Sequence, residues 1–142
     1  AGGMTSLEAA LTDICDRYDL VAVYAFGSRA VEIARRVREE DAAASSEADV
    51  NIGVLPARGR ELGVKARVDL MQALEDLFDV ARVDLVFLRE ADPFLTANIV
   101  RGERLYARDS YAADEYDLYV LRRAGDLAPL ERERMALILG EE

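Results

Sequence analysis

Two aspartates, an asparagine and a glycine–serine pair have the types and spacing in this chain to do chemistry. Asp49-Val50-Asn51 begins an alternation in which Val50, Ile52 and Val54 are the apolar half. A period of two puts Asp49 and Asn51 on one face of a strand, pointing away from the aliphatic core. Asp84 interrupts the apolar run Val83-Asp84-Leu85-Val86. A buried carboxylate without a partner is costly, so Asp84 must be paired (for instance with Arg82), bound to a metal, or placed at a strand end. Gly27-Ser28 ends the apolar run Leu20–Phe26. Glycine allows a phosphate to approach closely, and the serine hydroxyl with the first amides of a following helix can hold its oxygens. Each feature alone also has a plain explanation: a commonplace turn, a solvated strand face, an ion pair.

Composition narrows the chemistry. The chain has no histidine and one cysteine, Cys15. Histidine acid–base catalysis, zinc sites and an internal disulfide are therefore excluded, and the lone thiol suits a reducing cytoplasm. Catalysis has to rest on carboxylates, hydroxyls, arginines, Lys65 or a hard metal ion. With 18 basic against 28 acidic residues the net charge is −10. That balance argues against binding a nucleic-acid backbone and suits small nucleotides or a basic protein partner. No apolar run reaches the roughly 20 residues that span a bilayer, so no membrane association is expected.

The elements that must position these residues can be read in order. The 142 residues make one domain, 4–142, with Ala1-Gly2-Gly3 resembling a tag remnant and 108–142 a helical tail. Thr5-Ser6-Leu7-Glu8 is a capping box opening a helix to Tyr18, with Cys15 on its apolar face. Leu20–Phe26 is a buried strand, and Arg29 to about Glu40 a helix with Ala30, Ile33, Ala34 and Val37 inward. Arg35, Arg36 and Arg38 on that helix are either solvated or turned to a triphosphate or an acidic partner. Residues 41–47 form a loop and Ala48–Val54 a second strand. A third helix carries Val68, Met71, Leu74, Leu77 and Phe78, and Val83–Leu88 is a third strand. Asp92-Pro93 opens a helix that Gly102 closes, and Leu105-Tyr106 adds an edge strand. Ser110 caps a helix to Arg123, Gly125 breaks it, and Ala128-Pro129 opens a last helix to Leu139. The result is an α/β (α+β) domain, a small mixed sheet flanked by helices.

The order strand–Gly27-Ser28, then Asp49-Val50-Asn51, then Asp84 resembles the polymerase-β-type nucleotidyltransferase superfamily. Within it the chain is most similar to the minimal nucleotidyltransferases, the antitoxin partners of HEPN-domain toxins. Val23–Arg29, Ala48–Val54, Val83–Val86, Ile99–Gly102 and Leu105-Tyr106 carry the likeness, which spans about residues 6–123. It implies a nucleotidyltransferase fold in which Gly27, Ser28 and Arg29 hold the phosphates of ATP. It also implies that Asp49, Asn51 and Asp84 are the catalytic and Mg2+-binding positions, with Asp84 as candidate base. The implied reaction moves AMP onto a hydroxyl of a HEPN-type toxin.

Two departures accompany the likeness. The family pattern has aspartate where this chain has Asn51, which removes one negative charge from a site meant to offset divalent cations. Ser28 and Asp49 are 21 positions apart, wider than in the family. A chain so altered could instead neutralise its partner by contact alone. The tail suits such contact: Tyr111, Tyr116, Leu118, Tyr119 and Leu121 are core or dimer-facing residues. Leu130, Met135, Ile138 and Leu139 could cover a partner, and the C-terminal helices could also join two copies.

Overall fold

The computed structural model describes residues 5–39 and 49–140. The expected loop 41–47 and the start of a strand at Ala48 lie outside them. Thr5 caps α1 (Ser6–Tyr18), its hydroxyl oxygen accepting the Glu8 amide at 3.1 Å. That hydroxyl also donates to the Val37 carbonyl at 2.5 Å, tying α1 to α2 (Ala30–Glu39). Between them lies β1 (Leu20–Phe26). There follow β2 (Val50–Pro56), α3 (Val64–Phe78), β3 (Val83–Phe87), a 3-10 turn (Leu88–Glu90), α4 (Pro93–Val100), β4 (Glu103–Ala107) and α5 (Ser110–Ile138).

The sheet order is β3-β2-β1-β4. β1 runs antiparallel to β2 and to β4, whereas β2 and β3 are parallel. This is the mixed sheet expected, with Leu105-Tyr106 inside the edge strand β4. β2 is displaced two residues from the expected bounds because its far end is set by its partner. Leu20, where β1 begins, pairs with Pro56. Asp49 consequently stands just before the strand.

Two cores cover the two faces. The larger packs α1, α2 and α3 on Val23, Ala25, Val50, Ile52 and Val54, with the Cys15 thiol at its centre. Burial pushes that thiol up to about 12, which keeps it protonated and inert. The opposite face, expected to lie outside the core, carries a second cluster of Tyr24, Leu55, Leu88 and Ile99 beneath α4 and α5. Tyr24 donates its hydroxyl to Asp117 of α5, and Arg104 holds the other oxygen of that carboxylate at 3.2 Å. Burial outweighs these hydrogen bonds and holds the Asp117 carboxyl above the usual carboxylate range.

Other expectations need correction. Arg36 is not solvated: it is 8% exposed, donates to the Phe78 carbonyl at 2.7 Å and pairs with Glu32 at 2.9 Å. Val68 is 41% exposed, and Leu70, outside the expected apolar set, is buried on α3 beside the expected Leu74 and Phe78. Asp109 rather than Ser110 caps α5, accepting the Tyr111 and Ala112 amides at 3.0 and 3.3 Å. Gly125 does not break that helix, which continues through Pro129. Proline deprives the Gly125 carbonyl of its amide partner, but Gly125 is exposed, where water can replace it. Among the described residues no helix is long and apolar enough to cross a membrane.

Gly53 marks a tight contact of the second face. A Cβ there would lie 2.6 Å from Ile99 Cγ2 and 3.3 Å from Leu88 Cδ2. Gly53→Ala is therefore expected to lower stability by about 1–3 kcal/mol through overpacking, read by urea or thermal unfolding. Ile99→Val in the same chain does not relieve that contact, whereas Ile99→Ala should recover part of the loss.

Candidate active site

Three adjacent strands meet at one end of the sheet. β1 leaves it at Phe26, while β2 and β3 enter it at Val50 and Val83. Phe26 pairs with Asn51, and Asn51 with Asp84, so the three stand side by side. Asp84 shares its face with Val86 and Leu88, as Asn51 shares its face with Gly53 and Leu55, because alternate residues along a strand point the same way.

Asp49 joins them through Arg82. The Val50 amide donates to the Arg82 carbonyl at 3.2 Å, bringing the residues before β2 and β3 together. Arg82 Nε then lies 3.3 Å from Asp84 Oδ1 and 3.7 Å from Asp49 Oδ2. One guanidinium thus lies between two carboxylates that share one side of the sheet. Their side chains are 45% and 43% exposed and that of Arg82 is 69% exposed. Ion pairs so open to water contribute about 0–1 kcal/mol each, which an arriving cation can outbid.

The turn after β1 closes onto the same point. Gly27 has φ +82°, a conformation natural to glycine, and a Cβ on it would come 2.6 Å from the Asn51 side-chain amide. Gly27 and Ser28 are both exposed. Arg29 differs: it is 5% exposed and paired with Glu32 at 2.6 Å. Its hydrogen bond is the chief reason the Glu32 carboxyl lies below the usual range. The structure thus brings Gly27, Asn51, Asp49 and Asp84 together, sets Ser28 at the open turn beside them, and turns the Arg29 guanidinium into α2.

Asp49, Asn51 and Asp84 offer only oxygen donors suited to a hard divalent ion: two carboxylates and one amide. Among the described residues no group of three or more His, Cys, Asp or Glu side chains is placed to hold a metal. The donor set fits magnesium of the kind that takes few protein carboxylates and completes its shell with substrate phosphates and water. Its formal charge is low. Two carboxylates and one guanidinium leave −1, where an aspartate at position 51 would leave −2.

Two grooves, of about 730 and 740 Å3, lie at the other end of the strands, around Leu55, Pro56, Leu88 and Arg89. Neither contains Gly27, Ser28, Asp49, Asn51 or Asp84. The candidate chemistry therefore sits on an open sheet end, away from these two concavities.

Residues 9–111 match the family described as Polymerase beta, Nucleotidyltransferase. The chain belongs to that nucleotidyltransferase family. Solved structures agree over nearly its whole length. One is a toxin–antitoxin crystal structure with AMP-PNP, 25% identical, covering 92% of this chain and 94% of the other at a TM-score of 0.65. Another is a tri-AMPylated Shewanella oneidensis HEPN toxin in complex with MNT antitoxin, 25% identical, covering 93% and 92% at a TM-score of 0.62. The MntA–HepT toxin–antitoxin pair, 24% identical over 93% of each chain at a TM-score of 0.62, shares the fold.

Sequence reasoning paired Arg82 with Asp84 and missed its reach to Asp49. The signal was present only jointly: Arg82 and Asp49 each precede a strand by one residue, and they face each other only if Val50 pairs with Val83.

The close approach of Gly27 to Asn51 yields a test. Gly27→Ala adds left-handed backbone strain of about 1–2 kcal/mol to a collision with the Asn51 amide. The melting temperature is expected to fall, and Asn51→Ala should restore part of the loss in a double-mutant cycle. Strictly additive effects would mean that the two residues do not touch.

Proposed function

We propose that this chain is an antitoxin-like minimal nucleotidyltransferase that moves AMP from ATP to a hydroxyl of a HEPN-type toxin, with Mg2+. The observation that carries this reading is the convergence of Gly27, Asp49, Asn51 and Asp84 at one sheet end, in a chain of this family. Gly27 and Ser28 hold the terminal phosphates through exposed backbone amides and the hydroxyl, and buried Arg29 fixes the start of α2 behind them. Asp49 and Asp84, with the Asn51 amide oxygen, are the residues that hold divalent metal. The metal, when bound, stabilises the negative charge on the attacking and leaving oxygens of an in-line displacement. The acceptor oxygen bonds to the α-phosphorus, the bond from that phosphorus to the β-phosphate bridging oxygen breaks, and pyrophosphate leaves. Asp84 takes the acceptor proton and passes it to water.

A second reading, neutralisation by contact without transfer, is favoured by Asn51. With one charge fewer at the metal positions, the rate is expected to fall well below that of an aspartate at position 51. Label from [α-32P]ATP, chased into the purified toxin in magnesium, separates the two. Asn51→Asp is expected to raise incorporation by about tenfold or more, and Asp49→Ala or Asp84→Ala to abolish it. Transfer by neither the natural chain nor Asn51→Asp, both folded and both bound to the toxin, leaves contact as the function.

Arg82 sharpens the electrostatic side of this reading. Its guanidinium must leave Asp49 and Asp84 before a cation takes its place. Arg82→Gln is expected to tighten Mn2+ binding about fivefold, the equivalent of about 1 kcal/mol, as read by the electron paramagnetic resonance signal of free Mn2+. Unchanged or weaker binding would contradict competition at that position.

A further inference from the structure

Away from the acidic end the surface carries a second feature. A groove of about 730 Å3 runs between the start of α4 and the first half of α5. Leu55, Leu88 and Val120 are buried at its floor, and Tyr116 is half-buried in its wall. A smaller hollow of about 200 Å3 shares Val21, Leu55, Arg58, Arg89, Ala112 and Tyr116 and carries the groove on to Arg108 and Asp109. From Ala112 to Arg123 the α5 wall is about 17 Å long at 1.5 Å per residue. This suits an elongated occupant more than a small molecule.

Charge specifies that occupant further. The groove is lined by Arg58, Arg89 and Arg123 against Glu115 alone. Three positive charges less one negative leave +2, in a chain whose net charge is −10. Arg58 and Arg123 are exposed, and neither has an ion-pair partner among the described residues. Arg89 donates to the Pro56 carbonyl, which fixes it at the groove edge. Arg67, Arg108 and Arg134 on the surface each hold a carboxylate, whereas exposed Arg60, Arg101, Arg122 and Arg132, like the groove arginines, hold none among the described residues. What sets Arg58 and Arg123 apart is their place beside an apolar floor. Tyr119 in the groove wall is 56% exposed, so an aromatic face is open beside the arginines. Unmatched guanidinium groups beside an exposed aromatic side chain and an apolar floor form the usual make-up of an anchoring surface for a partner with carboxylates.

We propose that this groove docks an apolar, carboxylate-bearing segment of the partner toxin, Arg58 and Arg123 pairing with its acidic side chains and Tyr119 packing on its apolar face. The inference rests on the partner named under the proposed function. It adds that docking occurs away from the metal positions. The seven residues of β2 separate the groove from Asp49 and Asp84 by roughly 20 Å at about 3.3 Å per residue. Docking and nucleotide binding therefore occupy different ends of the sheet.

Calorimetric titration of the purified toxin into this chain tests it. The double variant Arg58→Glu/Arg123→Glu is expected to weaken binding at least tenfold, and Tyr119→Ala about fivefold or more. Arg58→Lys/Arg123→Lys should keep most of the affinity, and Arg17→Glu, a charge reversal at an exposed position of α1 on the opposite face of the sheet, should keep all of it. Circular dichroism establishes that each variant is folded, as these exposed positions lead one to expect. Toxin binding that is equal in the wild type and the charge-reversed chain overturns the groove while leaving the partner in place. A wild-type chain that does not bind the toxin overturns both. Charge reversal that abolishes binding of a single-stranded RNA oligonucleotide while leaving the toxin untouched assigns the groove to nucleic acid and overturns the proposal.

Discussion

The parallel pairing of β2 with β3 is the constraint on which the acidic end depends. Val50 opposite Val83 makes Asn51 the neighbour of Asp84, and it makes Asp49 the neighbour of Arg82. A slip of one residue would turn Asp84 to the face packed by α1 and α3, where Leu85 and Phe87 now lie. The hydrophobic pattern forbids that slip. Val50, Ile52 and Val54 are at most 1% exposed, and Val83 likewise, so either displaced strand would bury polar groups and expose aliphatic ones. β1 then adds its own end by antiparallel pairing, and the positive φ of Gly27 lets the chain turn against Asn51 without a Cβ in the way. The chemistry-bearing side chains need no packing of their own to be placed. They inherit their positions from the aliphatic residues between them.

Such placement leaves the polar groups exposed, and that governs their electrostatics. Asp49 and Asp84 are drawn together by Arg82 in water, where two carboxylates at close range would otherwise repel. The guanidinium is weakly held and so is a reversible neutraliser. Asn51 matters for the same reason: in a site of two carboxylates, one charge more or less changes the balance between the resident arginine and an incoming cation. Arg29 and Arg36 are the contrasting case. Both converge on Glu32 in buried surroundings and serve the attachment of α2.

Much of this was legible in the letters. The cap at Thr5, the proline-opened α4, and the presence of the central strands β1 and β2 and the edge strands β3 and β4 follow from local patterns. Asp49, Asn51 and Asp84 stand out in the letters because a polar residue among aliphatic strand residues needs a reason, and the pairing of β2 with β3 sets Asn51 beside Asp84. Other features were not legible because they depend on partners distant in sequence. Pro56 ends β2 because β1 begins at Leu20. Arg36 is buried because the Phe78 carbonyl, 42 positions away, lies above it. Gly125 and Pro129 are local signals that misled, since an exposed helix can lose a hydrogen bond to water without ending. The groove has no motif at all. Its arginines come from the loop after β2, the 3-10 turn and α5, and only the fold makes them neighbours.

The two ends of the sheet therefore carry opposite charge for opposite reasons. At the end where β1 leaves and β2 and β3 enter, carboxylates gather because alternate strand residues share a face. At the other end arginines gather where loops and helix walls enclose an apolar floor. The Tyr24–Asp117–Arg104 network joins these regions by fixing α5 to the central strand β1 and the edge strand β4. A hydrogen bond from a buried tyrosine to a carboxylate that burial already disfavours is sensitive to position, so α5 is held in one register over the sheet. The groove wall and the acidic end are thereby carried by one sheet. On the function proposed above, a neutral residue at position 51 weakens the chemistry without loosening the surface that α5 presents. A fold arranged in this way separates the proposed chemistry from the proposed contact.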